Sequence, residues 1–290
     1  MASQGKFLVS GGNDEEIRIY NIRRRFEVGS LMKHQAPITT LRFSKKANSL
    51  ASGSDDGMIA VWRIKDWECV SFKPAHKGSV IDLDVHPSGK VMMSCGRDST
   101  LRLWCMTSSK ELYCRPQKGR GYGSFQQLRW RPKGEGFCYA LANDVAICDT
   151  NSDDPVVRFS HPRPPFSFAF LSDNTVATGG EDKIVRVWDV RTGKLASEIP
   201  EFSSRIRALL VEPLTQSLCV LGCSLPPTPT TPDAAHPPLP PPLPPPCLLY
   251  PSFVCACSPR VRAGTLACFT LRLQGEKSAL WGLSTRVCAA

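Results

Sequence analysis

The chain has 290 residues, 42% of them hydrophobic and 21% charged, enough apolar material for one large domain or two ordinary ones. Its formal charge is +10, of which about +7 falls in the first 222 residues; this draws the chain mildly toward phosphate-rich or acidic partners without establishing nucleic-acid binding. No apolar run reaches roughly 18 residues, which excludes a spanning helix. The 13 cysteines show no paired spacing, and no signal-like segment opens the chain, so reduced thiols in the cytosol or nucleus are expected.

A repeat governs the first two thirds. Ser10-Gly11-Gly12-Asn13-Asp14 runs on to Ile19-Tyr20, and Ser52-Gly53-Ser54-Asp55-Asp56 to Val61-Trp62. Ser94-Cys95-Gly96-Arg97-Asp98 runs on to Leu103-Trp104, and Thr178-Gly179-Gly180-Glu181-Asp182 to Val187-Trp188. Successive starts are 42, 42 and 84 residues apart, and His34 and His76 are again 42 apart. In each copy a small hydroxylated residue closes a strand and an Asp-containing turn follows. Gly57 tolerates positive φ in that turn, and the next strand alternates Ile59 and Val61 with Ala60 and Trp62. A period near 42 with four short strands per unit is the pattern of WD-type β-propeller blades.

In chain order, a partial first blade is expected over about 5–31, and four fuller ones over 37–73, 79–115, 124–160 and 165–200. The 124–160 copy is degenerate: Phe125–Trp130 and Phe137–Leu141 read as strands and Asn143-Asp144 as the turn, but the closing Trp and the preceding His are gone. A sixth blade starts at Ser204 and stops after Leu221, two strands in. Seven blades at this period need about 294 residues, and about 222 are present. The expected fold is therefore an all-β WD-repeat propeller, incomplete at about five to five and a half blades of seven. Residues 1–222 form the propeller, and 223–290 a disordered, proline-rich, non-propeller tail. Missing blades leave apolar sheet faces uncovered, which favours aggregation.

Twelve prolines between Pro226 and Pro246 suit extended polyproline II or disorder, because proline cannot donate to a sheet ladder. The tail reads either as a ligand for an SH3-type domain or as an alternative exon, retained intron or faulty gene model that replaces the remaining blades; the second reading is favoured.

His34, Ser52, Asp56 and Trp62 have the makings of a hydrolytic triad. The set recurs as His76, Ser94, Asp98, Trp104 and roughly as His161, Thr178, Asp182, Trp188. An active site seldom repeats once per blade, whereas a buried relay of hydrogen bonds does, so these are read as structural tetrads. Arg23, Arg24 and Arg25, with Lys118, Arg120, Arg129, Arg131 and Lys133, form a candidate basic contact patch for RNA phosphates, set against a plain solvated turn at Arg23–Arg25. Cys255-Ala256-Cys257 lacks partners at metal-ligand spacing, and no phosphate-binding loop, dinucleotide fingerprint or zinc-protease motif occurs. No catalytic residue, cofactor, metal, membrane or small-molecule substrate is expected.

One stretch goes beyond generic repeats. Asp56-Gly57-Met58-Ile59, Lys65-Asp66-Trp67-Glu68-Cys69, Ala75-His76-Lys77-Gly78-Ser79-Val80, His86-Pro87-Ser88-Gly89-Lys90 and Asp98–Trp104 follow in an order that resembles the PAK-interacting WD-repeat family, which includes the yeast maintenance-of-killer ribosome-assembly factor. Asp14–Tyr20 with Gly29-Ser30-Leu31 and His34 resembles that family's first complete repeat. The likeness is densest over 10–104 and thins toward 200. It implies a nucleolar scaffold for large-subunit ribosome assembly, contacting assembly proteins and pre-rRNA, or a negative regulator that binds Rac-activated PAK-type kinases. The replaced C-terminal blades suggest a truncated or mis-spliced form of such a protein.

Overall fold

The computed structural model describes residues 2–44, 46, 48–116, 124–150, 152, 154–200, 202, 204–211, 218–223, 266–272 and 282–287. They form six four-stranded antiparallel sheets, each a meander. Sheet 1 holds β1 (Ala2–Gln4), β2 (Phe7–Gly11), β3 (Glu16–Asn21) and β4 (Phe26–Met32), and sheet 2 holds β5 (Ile38–Ser44), β6 (Ser49–Ser54), β7 (Met58–Arg63) and β8 (Glu68–Pro74). Sheet 3 holds β9 (Val80–Val85), β10 (Val91–Gly96), β11 (Thr100–Cys105) and β12 (Glu111–Pro116). Sheet 4 holds β13 (Phe125–Trp130), β14 (Gly136–Leu141), β15 (Asp144–Asp149) and β16 (Pro155–Ser160), and sheet 5 holds β17 (Pro165–Ser172), β18 (Thr175–Gly180), β19 (Val185–Asp189) and β20 (Leu195–Ile199). Sheet 6 holds β21 (Ile206–Val211), β22 (Leu218–Cys223), β23 (Leu266–Arg272) and β24 (Gly282–Val287).

Both faces of each inner sheet are covered, which is why the middle strands are apolar on both sides. On β7, Ala60 and Trp62 join a cluster with Val9, Ile17 and Ile19 of sheet 1, while Ile59 and Val61 join Val80, Leu83 and Trp104 of sheet 3. Five clusters of this kind couple sheet 1 to 2, 2 to 3, 3 to 4, 4 to 5 and 5 to 6. Among the described residues no cluster couples sheet 6 to sheet 1. The array is propeller-like, and the outer strands are wet: Met32, Val70, Leu112 and Val156 are exposed.

The turns repeat as faithfully as the strands. Glu15, Gly57, Ser99, Ala142 and Lys183 all have positive φ at the turn between second and third strands, and Arg25, Trp67, Ser109 and Gly193 do so between third and fourth. Three of these four turns close in the same way, with Arg25 N donating to Asn21 O at 2.8 Å, Trp67 N to Arg63 O at 2.8 Å and Gly193 N to Asp189 O at 2.9 Å, while at the Ser109 turn Cys105 N donates to Lys110 O at 2.9 Å. Glycine is at home there, so the non-glycine copies are held by the sheet pairing around them.

Sheets 2 to 5 fall on the four expected blades. Two expectations need correction. The first blade is not partial, because β1 pairs with β2 through Ala2↔Val9. The stretch after 222 is not wholly outside the sheets, because β23 pairs with β22 through Val220↔Phe269, and β24 with β23. The edge of β22 offers unpaired backbone groups, and a segment such as Leu266–Arg272 can satisfy them. Pro226–Pro246 and Cys255–Cys257 lie outside the described residues.

Candidate functional site

Each His sits in the loop entering its blade, while the hydroxyl comes from the second strand, Asp from the following turn and Trp from the end of the third. In sheet 2, Trp62 Nε1 donates to Ser52 Oγ at 2.9 Å, His34 Nε2 lies 2.9 Å from that oxygen, and His34 Nδ1 lies 3.2 Å from Asp56 Oδ2. In sheet 3, Trp104 donates to Ser94 at 3.0 Å, His76 Nε2 lies 2.8 Å from Ser94 Oγ, and Nδ1 lies 2.9 Å from Asp98 Oδ1. An indole only donates and a carboxylate only accepts. The proton order is therefore set: Trp to Ser, Ser to His Nε2, His Nδ1–H to Asp. That order needs neutral imidazoles, and burial lowers the pKa of both His34 and His76 against the upward pull of their aspartates. Asp98 stays below the usual carboxylate range despite burial, because Thr100, Lys77 N and His76 donate to it.

The third set departs from this pattern. Trp188 donates to Thr178 Oγ1 at 2.9 Å and His161 Nε2 lies 2.8 Å from it, but His161 Nδ1 faces the Phe159 carbonyl oxygen at 3.1 Å. Asp182 does not join; it pairs with Arg186, whose Nε also donates to Glu198 at 2.8 Å. Arg186, at the position of Ala60 in sheet 2, takes the carboxylate, whereas Arg102 at the same position of sheet 3 stays 3.7 Å from Asp98, which keeps its bond to His76.

The arrangement resists chemistry. Ser52, Ser94 and Thr178 are 0% exposed, and each hydroxyl oxygen already accepts an indole proton. A substrate carbonyl has no approach to such an oxygen.

A second recurring device was missed from the sequence. At one fixed position of the first strand in sheets 2 to 5, a polar side chain bonds to the neighbouring sheet. Thr40 donates to Asp82 at 2.8 Å, and Asp82 accepts the Leu128 amide at 3.1 Å. Gln127 accepts the Phe168 amide at 2.7 Å, and Ser167 the Leu209 amide at 3.0 Å. The series ends at Ala208 of β21. The readable signal was a polar residue recurring near every 42 positions within otherwise apolar strands.

Asp82 is the hub of this device. Arg42 from sheet 2 and Arg129 from sheet 4 both pair with it, and Asp84 faces Arg42 at 3.8 Å while accepting the Trp130 amide at 2.8 Å. Burial would raise the Asp82 pKa, but Arg129 and Arg42 hold it below the usual carboxylate range; Asp84, with weaker compensation, is pushed up.

Three residues expected in the basic patch have partners among the sheets. Arg129 belongs to the inter-sheet network, Arg131 donates to the Asp173 carbonyl at 2.9 Å, and Lys133 pairs with Asp173 at 2.7 Å. Lys118 and Arg120 lie outside the described residues. Arg23, Arg24 and Arg25 remain, exposed on the turn between β3 and β4, where Asn21 Oδ1 accepts the Arg24 amide at 3.0 Å.

Residues 26–63, 67–105 and 154–189 match the WD domain, G-beta repeat family. The chain is 31% identical over 224 residues to a p21-activated protein kinase-interacting protein 1-like protein of Xenopus laevis, covering 77% of this chain and 60% of that protein. It is 33% identical over 207 residues to the Gallus gallus counterpart, covering 71% and 55%. Protein MAK11 of Saccharomyces cerevisiae is 37% identical over 169 residues, covering 52% of this chain and 40% of that protein. The chain thus spans between 40% and 60% of these relatives' own length. The chain belongs to the WD-repeat proteins, and among them it is a homologue of the p21-activated protein kinase-interacting proteins and of MAK11.

Proposed function

We propose that the chain is a non-catalytic scaffold that joins precursors of the large ribosomal subunit in the nucleus and nucleolus, presenting its loops to assembly proteins and pre-rRNA. The observation that carries this reading is the likeness to MAK11, 37% identical over 169 residues. Rigid sheets with fixed turns suit a protein whose loops make the contacts. The exposed Arg23–Arg25 turn makes no ion pair among the described residues and suits phosphate contact. The division into a propeller unit, 1–222, and a following proline-rich segment, 223–290, is part of the proposal, amended by the two strands that pair onto β22.

A second reading follows the names of the other relatives: direct binding and restraint of a p21-activated kinase. Gradient sedimentation of a nuclear extract separates the two. Co-migration of the tagged chain with large-subunit precursors supports assembly. A chain found only in light fractions, bound to the kinase, supports the second reading and sinks the first.

A further inference from the structure

In a four-stranded antiparallel meander the first and last turns lie at one end of the sheet and the middle turn at the other. Hydrogen bonds tie the two like-sided turns together. Ile22 N donates to Lys6 O at 2.8 Å in sheet 1, Ile64 N to Asn48 O at 3.1 Å in sheet 2, and Met106 N to Lys90 O at 2.8 Å in sheet 3. The three sheets also point the same way. Thr40 meets Asp82 and Arg42 meets Asp84, so the first strands of sheets 2 and 3 run side by side in one direction. Phe7, at the first turn of sheet 1, meets Trp67, in the last turn of sheet 2, edge-on at 5.2 Å. Six turns therefore share one end of a packed block, and sheets stacked at the usual face-to-face spacing spread them over about 20 Å.

These turns are basic. Sheet 1 contributes Lys6, whose Nζ lies 5.0 Å over the Phe7 ring, and the exposed Arg23, Arg24 and Arg25. Sheet 2 adds Lys46 and Lys65, and sheet 3 adds Lys90 and Lys110, all exposed. Among the described residues none of these cations makes an ion pair. Asp66 is the only carboxylate in the six turns among the described residues, and Arg63 already holds it at 2.9 Å. The opposite end of the same sheets is different: there Lys33, Lys77 and Arg97 stand among Asp14, Glu15, Asp55, Asp56 and Asp98. The basic arc breaks at sheet 4, where Asp173 holds Lys133 at 2.7 Å and Glu135 and Asp154 are exposed.

We propose that this end of sheets 1 to 3 is an RNA-contacting face that grips the phosphate backbone without reading base sequence. Uncompensated like charges repel one another, and a bound polyanion relieves that repulsion. Lysine and arginine neutralise phosphates and release their counterions whatever the sequence. Cations spread over about 20 Å suit an extended chain that carries one charge per residue, as a nucleic-acid backbone does. The choice of RNA rests on the ribosome-assembly reading above; what is added is the face, and the share that sheets 2 and 3 take in it beyond the Arg23–Arg25 turn.

The test is fluorescence anisotropy of a labelled RNA of about 16 nucleotides, titrated with the full chain at several salt concentrations. Near physiological salt a dissociation constant on the order of 1–100 μM is expected. Lys46→Gln, Lys65→Gln, Lys90→Gln and Lys110→Gln combined leave Arg23–Arg25 in place. They should weaken binding about tenfold or more and lower the slope of log affinity against log salt by about 3, since each phosphate contact on a single strand contributes about 0.7. Lys33→Gln, Lys77→Gln and Arg97→Gln combined, at the opposite end, should change neither quantity. Equal weakening by the two sets would overturn the proposal, because net charge alone would then explain the binding. So would an unchanged slope in the four-lysine variant, or binding of polyglutamate but not of RNA. RNA binding as expected in a chain that fails to sediment with large-subunit precursors removes the assembly reading and leaves the face. Co-sedimentation with an unchanged slope does the reverse.

Discussion

Replacing Asp82 with Ala removes one acceptor from four groups at once: the Thr40 hydroxyl, the Leu128 amide and the guanidiniums of Arg42 and Arg129. The Asp82 side chain is 8% exposed, and the two arginines are 24% and 27% exposed, so water compensates only partly. Breaking a buried charge pair from one side costs about 3–5 kcal/mol, because the partner charges are left uncompensated. The equivalent neutral contact, Ser167 with the Leu209 amide, is worth about 1 kcal/mol when removed as Ser167→Ala. Urea unfolding followed by tryptophan fluorescence should therefore place Asp82→Ala about 2–4 kcal/mol below Ser167→Ala. The acid limb adds a sign. Because its arginines hold Asp82 below its unfolded value, its contribution is present above the usual carboxylate range and is lost as pH falls through the lowered pKa. Asp82→Asn should flatten that limb. If Asp82→Ala costs no more than Ser167→Ala, the inter-sheet network is not what holds neighbouring blades together.

Further outcomes follow from the same geometry. Burial depresses the pKa of His34, His76 and His161, so stability should be full above their unfolded value, near pH 6.5, and fall with acidification toward pH 5; melting curves that stay flat over this range would contradict neutral imidazoles. Asp98→Ala should leave the His76 Nδ1 proton to the weaker acceptor Thr100 Oγ1, 3.1 Å away, and speed its exchange with solvent, whereas Asp182→Ala should leave the His161 proton on the Phe159 carbonyl unchanged. Ser99 adopts φ 59, so Ser99→Gly should stabilise the chain by about 0.5–1 kcal/mol in the same urea assay, and a loss of stability would refute the strain. Hydrogen bonds from Ser108 and Thr107 lower the Cys105 thiol to about 6. Peptide mapping after iodoacetamide at pH 7 should therefore find Cys105 modified ahead of buried Cys95, whose thiol burial raises.

The 42-residue period carried most of the architecture, because strand alternation and turn chemistry are local and each blade repeats them. Its failures have local causes too. Ala2–Gln4 is only three residues long, too short to show alternation, so the first strand of sheet 1 was invisible. Leu266–Arg272 has no repeat signature; it pairs because β22 presents an edge, a tertiary effect that no local pattern announces. The Trp–Ser–His–Asp order in sheets 2 and 3 was legible from spacing, since all four residues lie within one blade and the loop entering it. Asp182 misled because it pairs with Arg186, while Asp98 keeps its bond to His76 although Arg102 stands at the same position of sheet 3, a difference that side-chain placement makes and residue spacing does not. Asp82 and Arg129 belong to different sheets, so Arg129 could be mistaken for a surface cation until the packing placed it beside Asp82.

The most direct test of the scaffold account is affinity capture of the full chain from nuclei, with quantitation of the RNA retained. The account predicts enrichment of large-subunit precursor rRNA together with assembly proteins, reduced by an Arg23→Glu, Arg24→Glu, Arg25→Glu variant that melts at the same temperature as the parent. Stoichiometric capture of a p21-activated kinase with no precursor rRNA above background would contradict it.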